Sequence, residues 1–295
     1  MAVLIDGKKV SQEIKEELKV KIDELKNVGK KVPGLVTILV GDNPASQSYV
    51  TSKAKACTEL GMLSKVERLD ANIPEKELLE LVQKYNDDSN YHGILVQLPL
   101  PKHISEDKVI QSISPRKDVD GFHPINVGKL MIGSYTFYPC TPYGIVELLK
   151  RYKIETSGKH VVVVGRSNIV GKPVANMLLQ KKEGANAIVT VCHSAAKDLS
   201  QFTKTADILI AAIGKAYFIK EDMVKDGVVV IDVGINRVDD PSAKKGYSVV
   251  GDVDFVNVEK KASYITPVPG GVGLMTIAML LQNTYQAYQK IENAG

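Results

Sequence analysis

The sequence predicts an α/β fold in two domains. Short apolar runs of strand length alternate with amphipathic stretches of helical period along the chain, and 295 residues with 44% hydrophobic content suffice for two cores. A glycine-bearing turn after residue 164 adds that the second domain follows a regular strand–turn–helix plan.

From Gln12 to Leu25, Ile14, Leu18, Ile22 and Leu25 recur every three or four positions among lysines and glutamates, which makes an amphipathic helix ending near Gly29. Leu35–Val40 is an apolar run bounded by Pro33-Gly34 and Gly41-Asp42-Asn43-Pro44, as in a buried strand. A helix from Ser46 to Leu60 follows. Next come a helix from Pro74 to Tyr85 and a second buried strand, Gly93–Leu98, closed by Pro99-Leu100-Pro101. Strand, helix, strand in this order predicts a parallel sheet that takes ligands at the carboxyl ends of its strands. The second half places strands at Val161–Val164, Ala187–Cys192, Ile208–Ala212, Val228–Val233 and Tyr264–Thr266. A last helix, Met275–Ile291, is of the kind that packs back on an earlier domain. The expected division is therefore 1–150 and 151–274, with 275–295 completing the first domain.

Composition excludes several function classes. The 38 Lys and Arg against 34 Asp and Glu leave a net charge of +4, too little for a nucleic-acid binder of this length. Cys57, Cys140 and Cys192 are odd in number and far apart, which disfavours a disulfide framework or a CxxC unit, and the five histidines form no pair at metal-ligand spacing. No stretch approaches a membrane span, and Asp6 and Lys8 fall where a signal peptide would be apolar, so a soluble, cytoplasmic protein is expected.

Val161–Val164 runs into Gly165-Arg166-Ser167-Asn168-Ile169-Val170-Gly171-Lys172-Pro173, with Pro173 suited to a helix's first turn. Backbone amides at such a helix start bind phosphate, so a Rossmann-type dinucleotide site is predicted; a plain turn using glycine for backbone freedom is the alternative. A phosphate-loop hydrolase needs Ser or Thr after Gly171-Lys172 and meets Pro173 instead. The next strand ends Val191-Cys192-His193-Ser194, without the acid that holds a ribose 2′-hydroxyl in NAD enzymes. Arg166, Ser194 and Lys197 suit a 2′-phosphate, and NADP is the predicted cofactor; a solvated loop arginine is the alternative for Arg166.

Tyr49 and Lys53 lie four apart on the helix after the first buried strand, hence on one face. A lysine beside apolar surface can exchange protons near neutrality, although a solvated lysine is the commoner case. Gln97, at the end of Val96-Gln97-Leu98, is placed to hydrogen-bond Lys53. Asp120, in Lys117-Asp118-Val119-Asp120-Gly121-Phe122, offers paired acceptors for an NH-bearing heterocycle, or else simply forms a turn. Pro267-Val268-Pro269-Gly270-Gly271-Val272-Gly273 is rigid, then permissive, as at a close backbone approach to a ligand or an ordinary interdomain connection.

These segments, with Asp232-Val233-Gly234-Ile235-Asn236, resemble the bifunctional methylenetetrahydrofolate dehydrogenase and methenyltetrahydrofolate cyclohydrolase family over essentially the whole chain. The resemblance implies an N-terminal folate domain completed by the last helix, a Rossmann-type NADP domain, and a cleft holding folate against nicotinamide. It implies Lys53 as the catalytic lysine, Tyr49 against the folate, Gln97 tuning Lys53 and Asp120 anchoring the pterin. Val96, Leu98, Pro269, Gly270, Gly271, Val272 and Gly273 would line the folate, and Gly165, Arg166, Ser167, Ser194 and Ile235 would contact NADP. A homodimer acting on folate, including polyglutamylated folate, is expected, with a role in purine biosynthesis. One departure stands out: the family usually continues its last motif with Pro, where this chain has Leu274. No stretch is left for the synthetase domain that some relatives append, so two activities are expected. Two rival classes remain: another Rossmann oxidoreductase, such as a shikimate-type dehydrogenase, leaves Asp120 and the Pro-Gly-Gly segment unexplained. A non-catalytic nucleotide sensor accounts for the glycine turn alone.

Overall fold

The computed structural model describes residues 2–134, 136–243 and 246–293. The chain opens with β1 (Val3–Leu4) and α1 (Gly7–Asn27), whose buried Ile14, Leu18 and Ile22 form its apolar stripe. β2 (Gly34–Val40), buried throughout, leads to α2 (Pro44–Leu60), β3 (Leu63–Leu69), α3 (Glu75–Asp87) and β4 (Gly93–Val96). Three helices follow, α4 (Glu106–Ser112), α5 (Pro124–Met131) and α6 (Cys140–Arg151). Then come β5 (His160–Val164), α7 (Gly171–Leu179), β6 (Ile188–Cys192), the short α8 (Ser200–Thr203), β7 (Ile208–Ala211) and β8 (Val229–Asp232). The hairpin strands β9 (Asn236–Asp239) and β10 (Tyr247–Val250), the short α9 (Phe255–Val258), β11 (Tyr264–Ile265) and α10 (Val272–Glu292) complete the chain. No helix among the described residues is long and apolar enough to cross a membrane.

Two compact units emerge, Glu13–Cys140 with Ile277–Gly295, and Met1–Gln12 with Thr141–Thr276. The first holds a three-stranded parallel sheet in the order β3-β2-β4, with Ile38 opposite Val96. Val36, Ile38, Val40, Ile94 and Val96 pack on Leu78, Val82 and Tyr85 of α3, and this apolar burial is the main source of the unit's stability. Asn43 starts α2, its side-chain oxygen accepting from the amides of Ala45 and Ser46, with Pro44 in the first turn. Gly61, left-handed at φ 80°, ends it. These caps fix the helix that carries Tyr49 and Lys53.

In the same unit His92 is fully buried, its Nδ1 accepting from the Gly34 amide at 3.0 Å and its Nε2 lying 3.2 Å from Glu292 of α10. Burial, opposed by Glu292, pushes its pKa below the usual 6.5. The folded form thus resists a proton that the unfolded chain accepts, and stability falls as pH drops through 6.5. His92→Gln does not titrate, so its stability deficit against wild type in urea unfolding should shrink as pH falls. A deficit that widens on acidification would contradict the assignment of a neutral buried imidazole.

The second unit is built on a six-stranded parallel sheet ordered β1-β11-β8-β7-β5-β6. Its register sets Val164 beside Cys192 and Ala211, and Ala211 beside Asp232, so the carboxyl ends of β6, β5, β7 and β8 come level. That level edge is where an open parallel sheet takes its ligand. The units differ from the division at residue 150 expected above. β1 pairs with β11, which brings the first residues into the second unit. Helix α6 belongs there too: the Asp6 amide donates to Tyr152 Oη at 2.7 Å, and a Cβ on Gly144 would lie 2.6 Å from that of Met275. A two-residue strand is too short to leave a periodicity in the sequence.

Candidate active site

In the three-stranded unit, Lys53 is 8% exposed on α2, while Tyr49, one turn earlier, is 47% exposed. The Lys53 ammonium donates to Gln97 Oε1 at 3.0 Å. Gln97 is itself fixed: its backbone amide donates to Ile38 O and its Nε2 to Leu98 O at 2.7 Å. The side-chain oxygen therefore points at the lysine and takes one of its three N–H donors. Val96 is buried in the sheet's apolar cluster and Leu98 packs against it, so their side chains serve the core beside the site.

Asp120 sits on a turn tied from beneath by Asp118. The buried Asp118 carboxylate accepts from the amides of Gly121, Phe122 and His123 and from Asn126 Nδ2 at 2.8 Å. Burial raises its pKa, and the bonds from Asn126, His123 and Phe122 oppose the rise. Gly121, at φ 77°, admits no side chain, since a Cβ would lie 2.7 Å from Pro139 N. From α10, Asn283 donates to Val119 O at 2.8 Å and Tyr138 O at 2.9 Å, clamping the turn's other side. Cys140 marks where the charged groups meet. Burial pushes its thiol well up, the Asp120 carboxylate adds to this, and the Lys53 ammonium opposes it. Lys53 and Asp120 thus both act on this buried thiol, and Gln97 joins them through its bond to Lys53, with Asp118 and Asn283 as supports that sequence reasoning did not single out.

In the six-stranded unit, Gly165 follows β5 at φ 138°, and a Cβ there would lie 2.2 Å from Ala212 O. A Cβ on Gly171 would lie 2.2 Å from Gly165 O, so the two glycines close the turn on itself. Ser167 Oγ accepts from the amides of Val170 and Gly171 at 3.1 and 3.3 Å, which shapes the start of α7. Arg166 and Ser194, at the ends of the neighbouring β5 and β6, are exposed. Ile235, just past β8, is 54% exposed, and a Cβ on Gly273 would lie 3.4 Å from its Cδ1. The Pro267–Gly271 loop folds against the start of α1: Lys8 N donates to Gly270 O at 3.1 Å, and a Cβ on Gly7 would lie 2.1 Å from Gly271 O. Pro269 and Gly273 are exposed and Val272 is buried at the start of α10. These loop residues lie in the six-stranded unit, whereas Tyr49, Lys53, Gln97 and Asp120 lie in the other. Asp232, read in the sequence only as part of a motif, is buried, and desolvation pushes its pKa up to about 6 against the pull of three backbone amides.

Comparison with known proteins gives a consistent result. Residues 139–292 match the model of the tetrahydrofolate dehydrogenase/cyclohydrolase NAD(P)-binding domain, and residues 5–120 that of the tetrahydrofolate dehydrogenase/cyclohydrolase catalytic domain. The bifunctional protein FolD of Pelodictyon phaeoclathratiforme is 60% identical over 293 residues, 99% of each chain. The crystal structure of the bifunctional FolD methylenetetrahydrofolate dehydrogenase/cyclohydrolase from Campylobacter jejuni superposes with a TM-score of 0.93 at 54% identity, covering 100% of both chains. That of the Trypanosoma brucei methylenetetrahydrofolate dehydrogenase-cyclohydrolase, complexed with NADP cofactor and inhibitor, gives 0.92 at 40% identity over 98% of each.

Proposed function

The chain belongs to the tetrahydrofolate dehydrogenase/cyclohydrolase family, and we propose from this how its residues divide the work. It is an NADP-dependent enzyme that oxidises 5,10-methylenetetrahydrofolate to the 5,10-methenyl form and hydrolyses that product to 10-formyltetrahydrofolate. The observation that carries the assignment of residues is the buried Lys53, held 3.0 Å from Gln97.

The cofactor fits the second unit. The closed Gly165–Gly171 turn, with Ser167 Oγ shaping the amino end of α7, is suited to a pyrophosphate. Gly165 and Ser167 would hold that group, Arg166 and Ser194 the 2′-phosphate, and Ile235 the nicotinamide side. When bound, NADP supplies the acceptor for the hydride that leaves the methylene carbon. The protein contributes position to this step, with Asp120 gripping the pterin and Tyr49 lying against the folate.

Hydrolysis needs proton movement. Water forms a bond to the methenyl carbon, its oxygen gives up both protons as it becomes the formyl oxygen, and the bond to N5 breaks with the electron pair returning to N5, which takes up one proton while the other is released to solvent. Lys53 exchanges these protons, and Gln97 fixes the direction of its Nζ. Omission of substrates tests the scheme: methenyltetrahydrofolate alone should be hydrolysed without nucleotide, while methylenetetrahydrofolate should react only with NADP present. Hydrolysis that requires NADP would contradict the division.

Arg166→Ala tests cofactor selection. The KM for NADP should rise far more than that for NAD, because only NADP carries the phosphate that a guanidinium holds. Equal losses with both cofactors would remove Arg166 from the selection. The same reading extends, on family resemblance, to a cytoplasmic homodimer that takes polyglutamylated folate and feeds purine biosynthesis. Light scattering of the purified chain reads the dimer directly, and a monomer at working concentration would overturn that part.

A further inference from the structure

We infer that Asp252 is a positioning residue for NADP, holding in one arrangement the turns at the carboxyl ends of β7 and β8; this rests on the NADP reading above. Asp252 is fully buried. Its Oδ2 accepts from the consecutive amides of Ile213 at 2.7 Å and Gly214 at 2.8 Å, and its Oδ1 from Lys215 at 2.9 Å. Oδ1 also accepts from Asn236 Nδ2 at 2.9 Å. One carboxylate thus saturates its acceptors on the turn after β7 and on the residue following Ile235.

Packing extends the hold. Gly234, in the turn after β8, has no room for a side chain because a Cβ would lie 2.3 Å from both the amide nitrogen and Oδ1 of Asp252. The other turn begins at Ala212, whose carbonyl Gly165 approaches so closely that a Cβ would lie 2.2 Å from it. Asp252 therefore fixes the stretch against which the glycine turn closes. Gly214 and Lys215 are exposed, and this buried carboxylate takes the amides of both. Asp232 sets Asp252 in turn, accepting from its amide at 2.9 Å and from the amide of Val253 at 3.0 Å, while Thr266 Oγ1 accepts from Asp232 N. An exposed turn held by one buried acceptor gains order on folding that cofactor binding then need not supply.

Asp252→Asn keeps the shape but turns one acceptor into a donor facing backbone amides. NADP affinity, measured by calorimetry on the whole chain, should fall at least about tenfold, a change of roughly 1.4 kcal/mol. Nucleotide-free hydrolysis of methenyltetrahydrofolate, read in the same preparation, should stay within about twofold, since Lys53, Gln97 and Asp120 are untouched; this split between the two readouts is what a purely structural role does not produce. Asn236→Ala, which removes one of the four donors, should give a smaller loss of NADP affinity with hydrolysis intact, and it decides the matter if Asp252→Asn does not fold. Wild-type NADP binding in the same titration tests the cofactor reading separately. Variants that bind NADP as tightly as wild type would overturn the role of Asp252 and leave that reading standing; parallel loss of binding and hydrolysis in a folded Asn236→Ala would overturn it as well.

Discussion

Replacing Lys53 by Met is expected to lower methenyltetrahydrofolate hydrolysis by about 10²–10⁴-fold, the range for a lost general acid–base group, while NADP binding is retained. Met matches the bulk of lysine and keeps the apolar contacts of a side chain only 8% exposed, so α2 should hold its place. Gln97 Oε1 then loses its donor, but it stands where water can reach, since Gln97 is only half-buried. Dehydrogenase activity should fall less, because hydride transfer asks mainly for alignment. The informative quantity is the ratio of the two rates. Hydrolysis near the wild-type level in Lys53→Met would exclude the lysine from the mechanism.

The second large effect is expected at Gly165. An alanine there must adopt φ 138° and bring a Cβ to 2.2 Å from the Ala212 carbonyl oxygen, far inside contact distance. The strain alone is of the order of 1–3 kcal/mol, and relief by backbone movement opens the turn that closes on Gly171. NADP affinity should drop about 10²-fold, with nucleotide-free hydrolysis nearly unchanged because its residues lie in the other unit. NADP binding at wild-type strength in Gly165→Ala would show that the turn does not hold the cofactor. Loss of hydrolysis to the same degree would show that the two activities do not divide as proposed.

The elements legible in the sequence are those whose burial leaves a mark. β2 and β4 are buried at every position and stand out as unbroken apolar runs between turn residues. β3 escaped notice for the opposite reason. Leu63-Ser64-Lys65-Val66-Glu67-Arg68-Leu69 lies at the sheet edge, and none of its residues is buried. Only its pairing with all seven residues of β2 makes it a strand. β1 is two residues long and is defined wholly by its partner β11, and the β9–β10 hairpin spans a polar stretch. Tertiary pairing overrides local preference in all three.

The site divides in the same way. Lys53 and Gln97 are 44 residues apart, and their hydrogen bond follows from topology, because β4 lies beside β2 and α2 follows β2. The adjacency of Gly273 and Ile235 likewise comes from the fold, where β8 and β11 are neighbours. The supports were not legible at all. Asp118, Asp252 and Asn283 act mostly on backbone amides and carbonyls, and a residue whose partners are mostly main-chain groups leaves little pattern of side-chain types in the sequence. Their signal is burial of a polar group, which only the structure supplies.

The most direct test of the account follows both products of the wild-type chain in one reaction. With methylenetetrahydrofolate and NADP supplied together, NADPH and 10-formyltetrahydrofolate should form in equal amounts, with methenyltetrahydrofolate appearing only as a transient. NADPH formed in step with a methenyl product that persists, hydrolysing no faster than it does without protein, would contradict it.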